Sequence, residues 1–556
     1  MDLLSKPQLT PWNRLLNLLE LERKDILQVC YYAVFTGIVS LTLPLGIQAI
    51  INLIQGAQIS TSWIVLVVLV SLGVGFSGAL QLMQLRIIES LQQRIFTKAS
   101  FELTYRFPKI EMHALSGFYP PELANRFFDT ITIQKGLSKI LLDVPAALLS
   151  IIFALILLSL YHPFFIIFGL LLLGLIAIVF KHTAVKGLTT SLEESKYKYQ
   201  VAHWIQEIAR TIISFKLSGK TNLAMQKNDL LLVKYLSARE GHFKILMLQF
   251  VQMITFKVVV TASLLLIGGA LVLNQEMNIG QFVAAEIIII LVINSVEKLI
   301  LGLETFYDVL TSLEKLGQVV DQDLEPQMGE TVGVSKPLHV VMDKLSYVVK
   351  DKKNPILNSI SLDIAPKARI LISGESGSGK SSLLRIITGL IKPTTGHLFI
   401  NGLSIEALHL NEYRSLLGMS LSEESLFEGT FKENISFGDP SISDVRIYEV
   451  IEHIGLSDFL KELPNGLSTF IKPEGKSLSF TMSKKILLAR AIVKKPALLI
   501  LEDPLDQFNP YEANKLIKYL THENHNWSLV VVSNNQKWSS YCSQKIILEK
   551  GSIRAL

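Results

Sequence analysis

Residues 374–381 read Gly374-Glu375-Ser376-Gly377-Ser378-Gly379-Lys380-Ser381. They satisfy the spacing G-x-x-x-x-G-K-[ST] between a strand-like run, Arg369 to Ser373, and a helical stretch, Leu383 to Leu390. Glycines let the N–H groups of such a loop turn inward around a polyphosphate, and the helix that follows adds a favourable dipole at its start. Lys380 is placed to reach the β- and γ-phosphates, and Ser381 offers a hydroxyl to Mg²⁺. With Gly374, Glu375, Ser376, Gly377, Ser378, Gly379 and Ser382 they form the candidate nucleotide site, with ATP and Mg²⁺ as the expected cofactors. The bland alternative is a glycine-rich turn without a ligand, and the strand-then-helix context argues against it.

Around this loop, strand-like runs at Leu338 to Leu345, Ile370 to Ser373, Ala497 to Leu501 and Ser528 to Ser533 alternate with helical stretches. That alternation predicts an α/β domain with a largely parallel sheet over 337–556. Before it, Asp321-Gln322-Asp323-Leu324-Glu325-Pro326, with Gly329 and Gly333, reads as a linker over 311–336.

The rest of the chain is of another kind. Of 556 residues 49% are hydrophobic and only 18% charged, and the mean hydropathy is +0.40, so one part is expected in lipid and another in water. No Asp, Glu, Lys or Arg stands between Asp25 and Arg86, which predicts spans near 28–52 and 62–84 joined by a turn at Gln55 to Thr61. A second charge-free run, Val144 to Phe180, is split at Tyr161-His162-Pro163 into a hairpin of two more. The last pair is expected near 247–273 and 279–301, separated by Asn274 to Asn278, with Lys257, Glu286, Glu297 and Lys298 within or at its edges. Six spans over 26–310 result. Lys257 and Glu286 line a polar pathway or pair with each other, or else Lys257 snorkels and Glu286 bonds within the bundle.

The outside turns carry no Lys or Arg, whereas 86–140 and 181–244 carry many, including Arg86, Arg94, Arg126, Lys181, Lys196 and Arg210. Both termini are therefore expected in the cytoplasm, and the two basic segments as helices projecting there. Residues 1–25, with Pro11-Trp12-Asn13-Arg14-Leu15-Leu16, read as an amphipathic elbow at the lipid surface and not as a secretory signal. With Cys30 and Cys542 alone, no disulfide framework exists and a secreted module is excluded. A net charge of +5 without a clustered basic tract gives no support to nucleic-acid binding.

Six spans, long cytoplasmic loops and a C-terminal phosphate-binding loop resemble an ATP-binding cassette (ABC) exporter half-transporter over nearly the whole chain. That is a membrane α-helical bundle followed by an α/β P-loop NTPase domain. Leu41-Thr42-Leu43-Pro44-Leu45-Gly46-Ile47-Gln48 and Met277-Asn278-Ile279-Gly280-Gln281-Phe282 are similar to the type I secretion and peptide-exporter branch, with no peptidase domain expected before the first span. The resemblance implies a multi-pass protein of the cytoplasmic (inner) membrane. It also implies a homodimer or a heterodimer with a second half-transporter, and a periplasmic adaptor as a further partner. Pro121 to Arg126 and Trp204 to Ile208 fall where such exporters place short coupling helices.

Measured against the family pattern, the cassette departs at five places. Leu478-Ser479-Phe480-Thr481-Met482 stands for the signature LSGGQ; Ser479 is kept, while both glycines and the glutamine are gone. Glu502-Asp503 stands for the Asp-Glu that ends the Walker B strand, so Glu502 is the candidate metal residue and Asp503 a general base one methylene short. Ser422 takes the place of the Q-loop glutamine and Asn534 that of the switch histidine. Val349 stands where an aromatic stacks on adenine, with Tyr347 as its substitute in a shifted register. The departures imply that ATP is bound and its hydrolysis impaired. Two functions remain open: an export subunit for a peptide, protein or lipid-like substrate, or a non-pumping regulatory or structural membrane protein that keeps ATP in a degenerate cassette.

Overall fold

The computed structural model describes residues 9–55, 61–333, 337–349 and 354–554. They form two compact units, one of 1–108 with 117–322 and one of 109–116 with 323–556. Apart from its two ends, the turn expected at Gln55 to Thr61 lies outside the described residues, as do 334–336 of the linker.

The first unit is a bundle of long helices: Arg23–Ser40, Thr42–Gln55, Thr61–Arg106, Asp129–Tyr161, Phe164–Arg210, Leu223–Leu273 and Ile279–Val320. Among the described residues five stretches are long and apolar enough to cross a membrane. The sixth expected span corresponds to the apolar start, Phe164–Gly174, of the helix Phe164–Arg210. The 46 residues of Thr61–Arg106, at about 1.5 Å each, extend roughly 70 Å against a hydrocarbon core of about 30 Å. Such a helix runs well beyond any bilayer.

Several expectations need correcting. The span at 28–52 is two helices with a break at Leu41. Pro44 has no N–H to give to the carbonyl four residues back, that of Ser40, and its ring crowds that carbonyl. Ser40 and Thr42 hydroxyls donate instead to the carbonyls of Gly37 and Val39, each at 2.7 Å. The helix Ile279–Val320 continues past 310, through the first part of the expected linker. Lys257 pairs not with Glu286 but with Glu297 at 2.5 Å, joining two helices of the bundle. Trp204 to Ile208 lies inside the helix Phe164–Arg210, and the short helix is the next one, Ile212–Leu217. Pro120–Asn125 is a short helix of the first unit, but the piece that groups with the second unit is 109–116.

The expected elbow is a helix, Pro11–Leu21, whose cap Thr10 accepts from Asn13 N–H at 3.3 Å and whose Leu15 is buried. Trp12 meets Phe306 with ring centroids 5.7 Å apart, so the helix packs on Ile279–Val320. The helix Asp129–Tyr161 packs closely against Ile279–Val320. A Cβ on Gly136 would come within 2.4 Å of Val309 Cγ2, so only glycine permits the approach.

In the second unit a six-stranded sheet has the order Ser552–Arg554, Gln544–Glu549, Arg369–Ser373, Ser528–Val532, Leu498–Glu502, Leu417–Ser420. All its pairs are parallel except the first. The strand expected at Leu338 to Leu345 belongs to a separate antiparallel sheet, made of Leu357–Ile364, Val340–Tyr347, Thr395–Ile400 and Leu403–Ser404. The central strands are apolar between their ends because both faces are covered. Leu499, Leu501, Leu529 and Val531 enter one core, while Leu498, Ile500, Val530 and Val532 enter the other. Each such side chain contributes about 1.5–3 kcal/mol by burial.

The close packing at Gly136 yields a prediction. Gly136→Val should overpack the helix pair, cost about 1–3 kcal/mol and lower the thermal unfolding midpoint of the detergent-solubilised chain. An unchanged midpoint would refute the close approach.

Candidate functional site

Parallel pairing sets four strands side by side, and their carboxyl ends carry the candidate residues. Ile372 pairs with Val532 and Val532 with Glu502, so the loop after Ser373, Asn534 and the Glu502-Asp503 pair emerge next to one another. The fourth strand, Leu417–Ser420, brings up Ser422.

The loop from Gly374 to Gly379 joins the buried strand Arg369–Ser373 to the helix Lys380–Ile387. Its turn is possible because Gly374, Gly377 and Gly379 have φ of 152°, 82° and 101°. A Cβ at Gly379 would stand 2.8 Å from the Ile356 carbonyl oxygen, so no other residue fits. Lys380 Nζ donates to the carbonyls of Gly374 and Glu375 at 2.8 and 2.7 Å, which folds the ammonium back over the loop. Ser378 Oγ is buried without a partner among the described residues, and Glu375 and Ser376 are exposed on the loop. Open glycine backbone, a cation and an orphaned hydroxyl in one turn fit a polyphosphate.

Ser381, in the first turn of the helix with Ser382, donates its hydroxyl to one Glu502 carboxylate oxygen. Ser422 donates to the other through its N–H at 2.9 Å and its Oγ at 2.8 Å. Burial works against ionisation of Glu502, but the hydrogen bonds from Ser381 and then Ser422 outweigh it and hold the carboxyl below its ordinary value. A charged carboxylate beside a hydroxyl fits a hard, oxygen-seeking cation such as Mg²⁺. Asp503 differs. Burial, then Asp506 and Glu502, push its carboxyl up, and its φ of 42° is one that Asp tolerates better than most residues. Its N–H donates to the Val532 carbonyl at 2.9 Å.

The other candidates sit apart from this cluster or at its rim. Ser479 is the N-cap of the helix Phe480–Val493, accepting from Met482 N–H at 3.3 Å. Phe480, next to it, is 49% exposed, with Lys484 Nζ 5.7 Å from its ring centroid. Asn534 is exposed. Tyr347 ends its strand and packs against the core of the antiparallel sheet, and Val349 is half-buried. Sequence reasoning named Ser422 as a substitution but not its grip on Glu502, for the two are 80 positions apart. It also missed Glu423, which pairs with Arg385 of the P-loop helix.

Residues 357–506 match the family described as ABC transporter. The chain is 27% identical over 305 residues to the alpha-hemolysin translocation ATP-binding protein of Escherichia coli O157:H7, covering 55% of this chain and 43% of that one. It is 28% identical over 291 residues to the leukotoxin export ATP-binding protein of Aggregatibacter actinomycetemcomitans, covering 52% and 41%. The matched part thus spans less than half the length of either relative. A solved structure described as a bacterial Atm1-family ABC exporter with ATP bound superposes with a TM-score of 0.86 at 16% identity, covering 96% of this chain and 94% of that one.

A carboxyl depressed on folding adds stability that is complete above its unfolded value and fades as pH falls through the folded one. Wild type should therefore exceed Glu502→Gln in thermal midpoint by the widest margin near neutral pH. The margin should close as pH drops through the ordinary carboxyl value of 4.5 and below. Midpoints recorded across that range test this, and a pH-independent margin would count against it.

Proposed function

We propose that this chain, with an ABC transporter domain over 357–506 and an ABC exporter fold, is one half of a dimeric ATP-dependent exporter that moves a peptide, protein or lipid-like substrate across the cytoplasmic membrane. On this reading the first unit crosses the bilayer six times with both termini in the cytoplasm. The partner is a second half-transporter, the same chain or another, with a periplasmic adaptor as a further associate. The observation that carries the ATP reading is the loop at 374–381, with Lys380 bonded across its own turn and Ser381 bonded to Glu502.

In this reading Lys380 binds the β- and γ-phosphates, the loop N–H groups orient them, and Ser381 with Glu502 would hold Mg²⁺. When bound, the metal would offset phosphate charge. Asp503 is the residue nearest in kind to a general base. Proton transfer asks that a base reach within about 2.6–3.2 Å of the attacking water. A shortened side chain and a left-handed backbone at that position support slow hydrolysis. Exposed Phe480 supports a weakened approach of this chain's signature to ATP on a partner, because close backbone approach needs residues without side chains. Exposed Asn534 cannot take a proton as histidine does. The family relatives named for toxin export support the export reading over a non-pumping one.

Lys380→Ala should weaken Mg·ATP binding by about 1.5–3 kcal/mol, the range for a hydrogen bond to a charged group. Equilibrium binding to the purified chain measures it, and unchanged affinity would end the ATP reading. Asp503→Glu should raise ATP turnover on the order of ten- to a hundredfold. Turnover of the chain alone and with a cassette partner separates the two functions: turnover abolished by Lys380→Ala supports export, and binding without turnover in any pairing supports the regulatory alternative.

A further inference from the structure

Arg414 serves two structures at once. Its Nε and Nη2 donate to the carbonyls of Thr388 and Gly389, at 3.1 and 2.7 Å, where the P-loop helix Lys380–Ile387 ends. Beside it, Tyr413 donates its hydroxyl to the Ile387 carbonyl at 2.7 Å. The same guanidinium grips Glu325 as a fork, Nη1 at 2.6 Å and Nη2 at 2.9 Å, with the Glu325 side chain only 8% exposed. Planar two-point pairing of this kind gives direction as well as strength. Breaking one partner of a buried pair is costly, so the connection is either made or lost.

From Glu325 the connection continues through backbone. Glu325 N–H donates to the Lys109 carbonyl at 2.8 Å and Glu111 N–H to the Asp323 carbonyl at 3.0 Å. Ile110 and Leu324 thus form an antiparallel bridge, closed by an ion pair of Lys392 with Glu111 at 2.8 Å. Residues 109–111 continue in the chain from the long helix Thr61–Arg106, and 323–325 from Ile279–Val320. The strip that both enter is fastened to the carbonyl end of the helix whose other end follows the phosphate loop.

We propose that Arg414 is a positioning residue that ties the P-loop helix to Glu325, so that nucleotide at the loop alters the strip formed by 109–111 and 323–325. The proposal rests on the ATP-binding reading. An eight-residue helix is a rod of about 12 Å, anchored at its carbonyl end by Arg414 and Tyr413. A shift at its start is therefore passed to its end, and the fork conveys it to Glu325.

The test is amide hydrogen exchange of residues 109–116 in the full chain, with and without saturating Mg·ATP, alongside equilibrium ATP binding. Wild type should show a nucleotide-dependent change in exchange at Glu111 and its neighbours. Glu325→Gln, which leaves Arg414 on the helix carbonyls, should bind ATP as wild type does and lose that change. Arg414→Ala should lose it also, and Glu111→Gln, which loosens the same strip away from the fork, should keep it. A response that persists in Glu325→Gln, or one lost equally in Glu111→Gln, overturns the proposal. So does a wild-type chain that binds ATP without any change at 109–116. Absence of ATP binding by wild type is a separate result, seen in the binding measurement, and it overturns the ATP reading itself.

Discussion

A parallel sheet covered on both faces leaves its strands nothing polar to do except at their ends, and the cassette depends on that constraint. Alternate residues of Leu498–Glu502 and Ser528–Val532 go to opposite cores, and the strands are held in register by their ladders. Polar chemistry is pushed to the carboxyl edge, where the glycine loop, the two acids and Ser422 meet. The loop could not turn there without residues that adopt positive φ, and it uses three glycines.

Adjacent acids at this edge have opposite environments. Glu502 receives donors from Ser381 and Ser422 and stays charged, whereas Asp503 is buried beside other carboxylates and its ionisation is opposed. The ionised form of one carboxyl is thus favoured and that of the other opposed. That asymmetry comes from hydrogen-bond donors, not from the order of the two residues in the chain. Ser422 bonds to Glu502 through both its N–H and its hydroxyl.

Apolar surface alone cannot set the helix arrangement where lipid is as apolar as the side chains, so packing and polar pairs must. Gly136 lets Asp129–Tyr161 close on Ile279–Val320, and Lys257 with Glu297 links Leu223–Leu273 to that same helix. Other links within the bundle are polar as well. Asp129 accepts from the Tyr199 hydroxyl while Arg126 lies 3.7 Å over the Tyr199 ring centroid.

By itself the sequence determined what is local. The phosphate loop, the apolar runs of span length, the hairpin at Tyr161-His162-Pro163 and the parallel strands all follow from spacing, charge gaps and turn residues, which act within a few positions of the chain. It did not determine that Pro44 splits the first span at Leu41, because apolar content hides a backbone clash four residues away. Nor did it reveal which partners meet across long separations. Ser422 on Glu502, Lys257 on Glu297 and Arg414 on Glu325 are set by strand order and helix rotation, and no short-range pattern encodes those. Only the tertiary structure brings such charges and hydroxyls within reach, since burial makes an unpaired one costly and packing decides which partner is close enough to answer it.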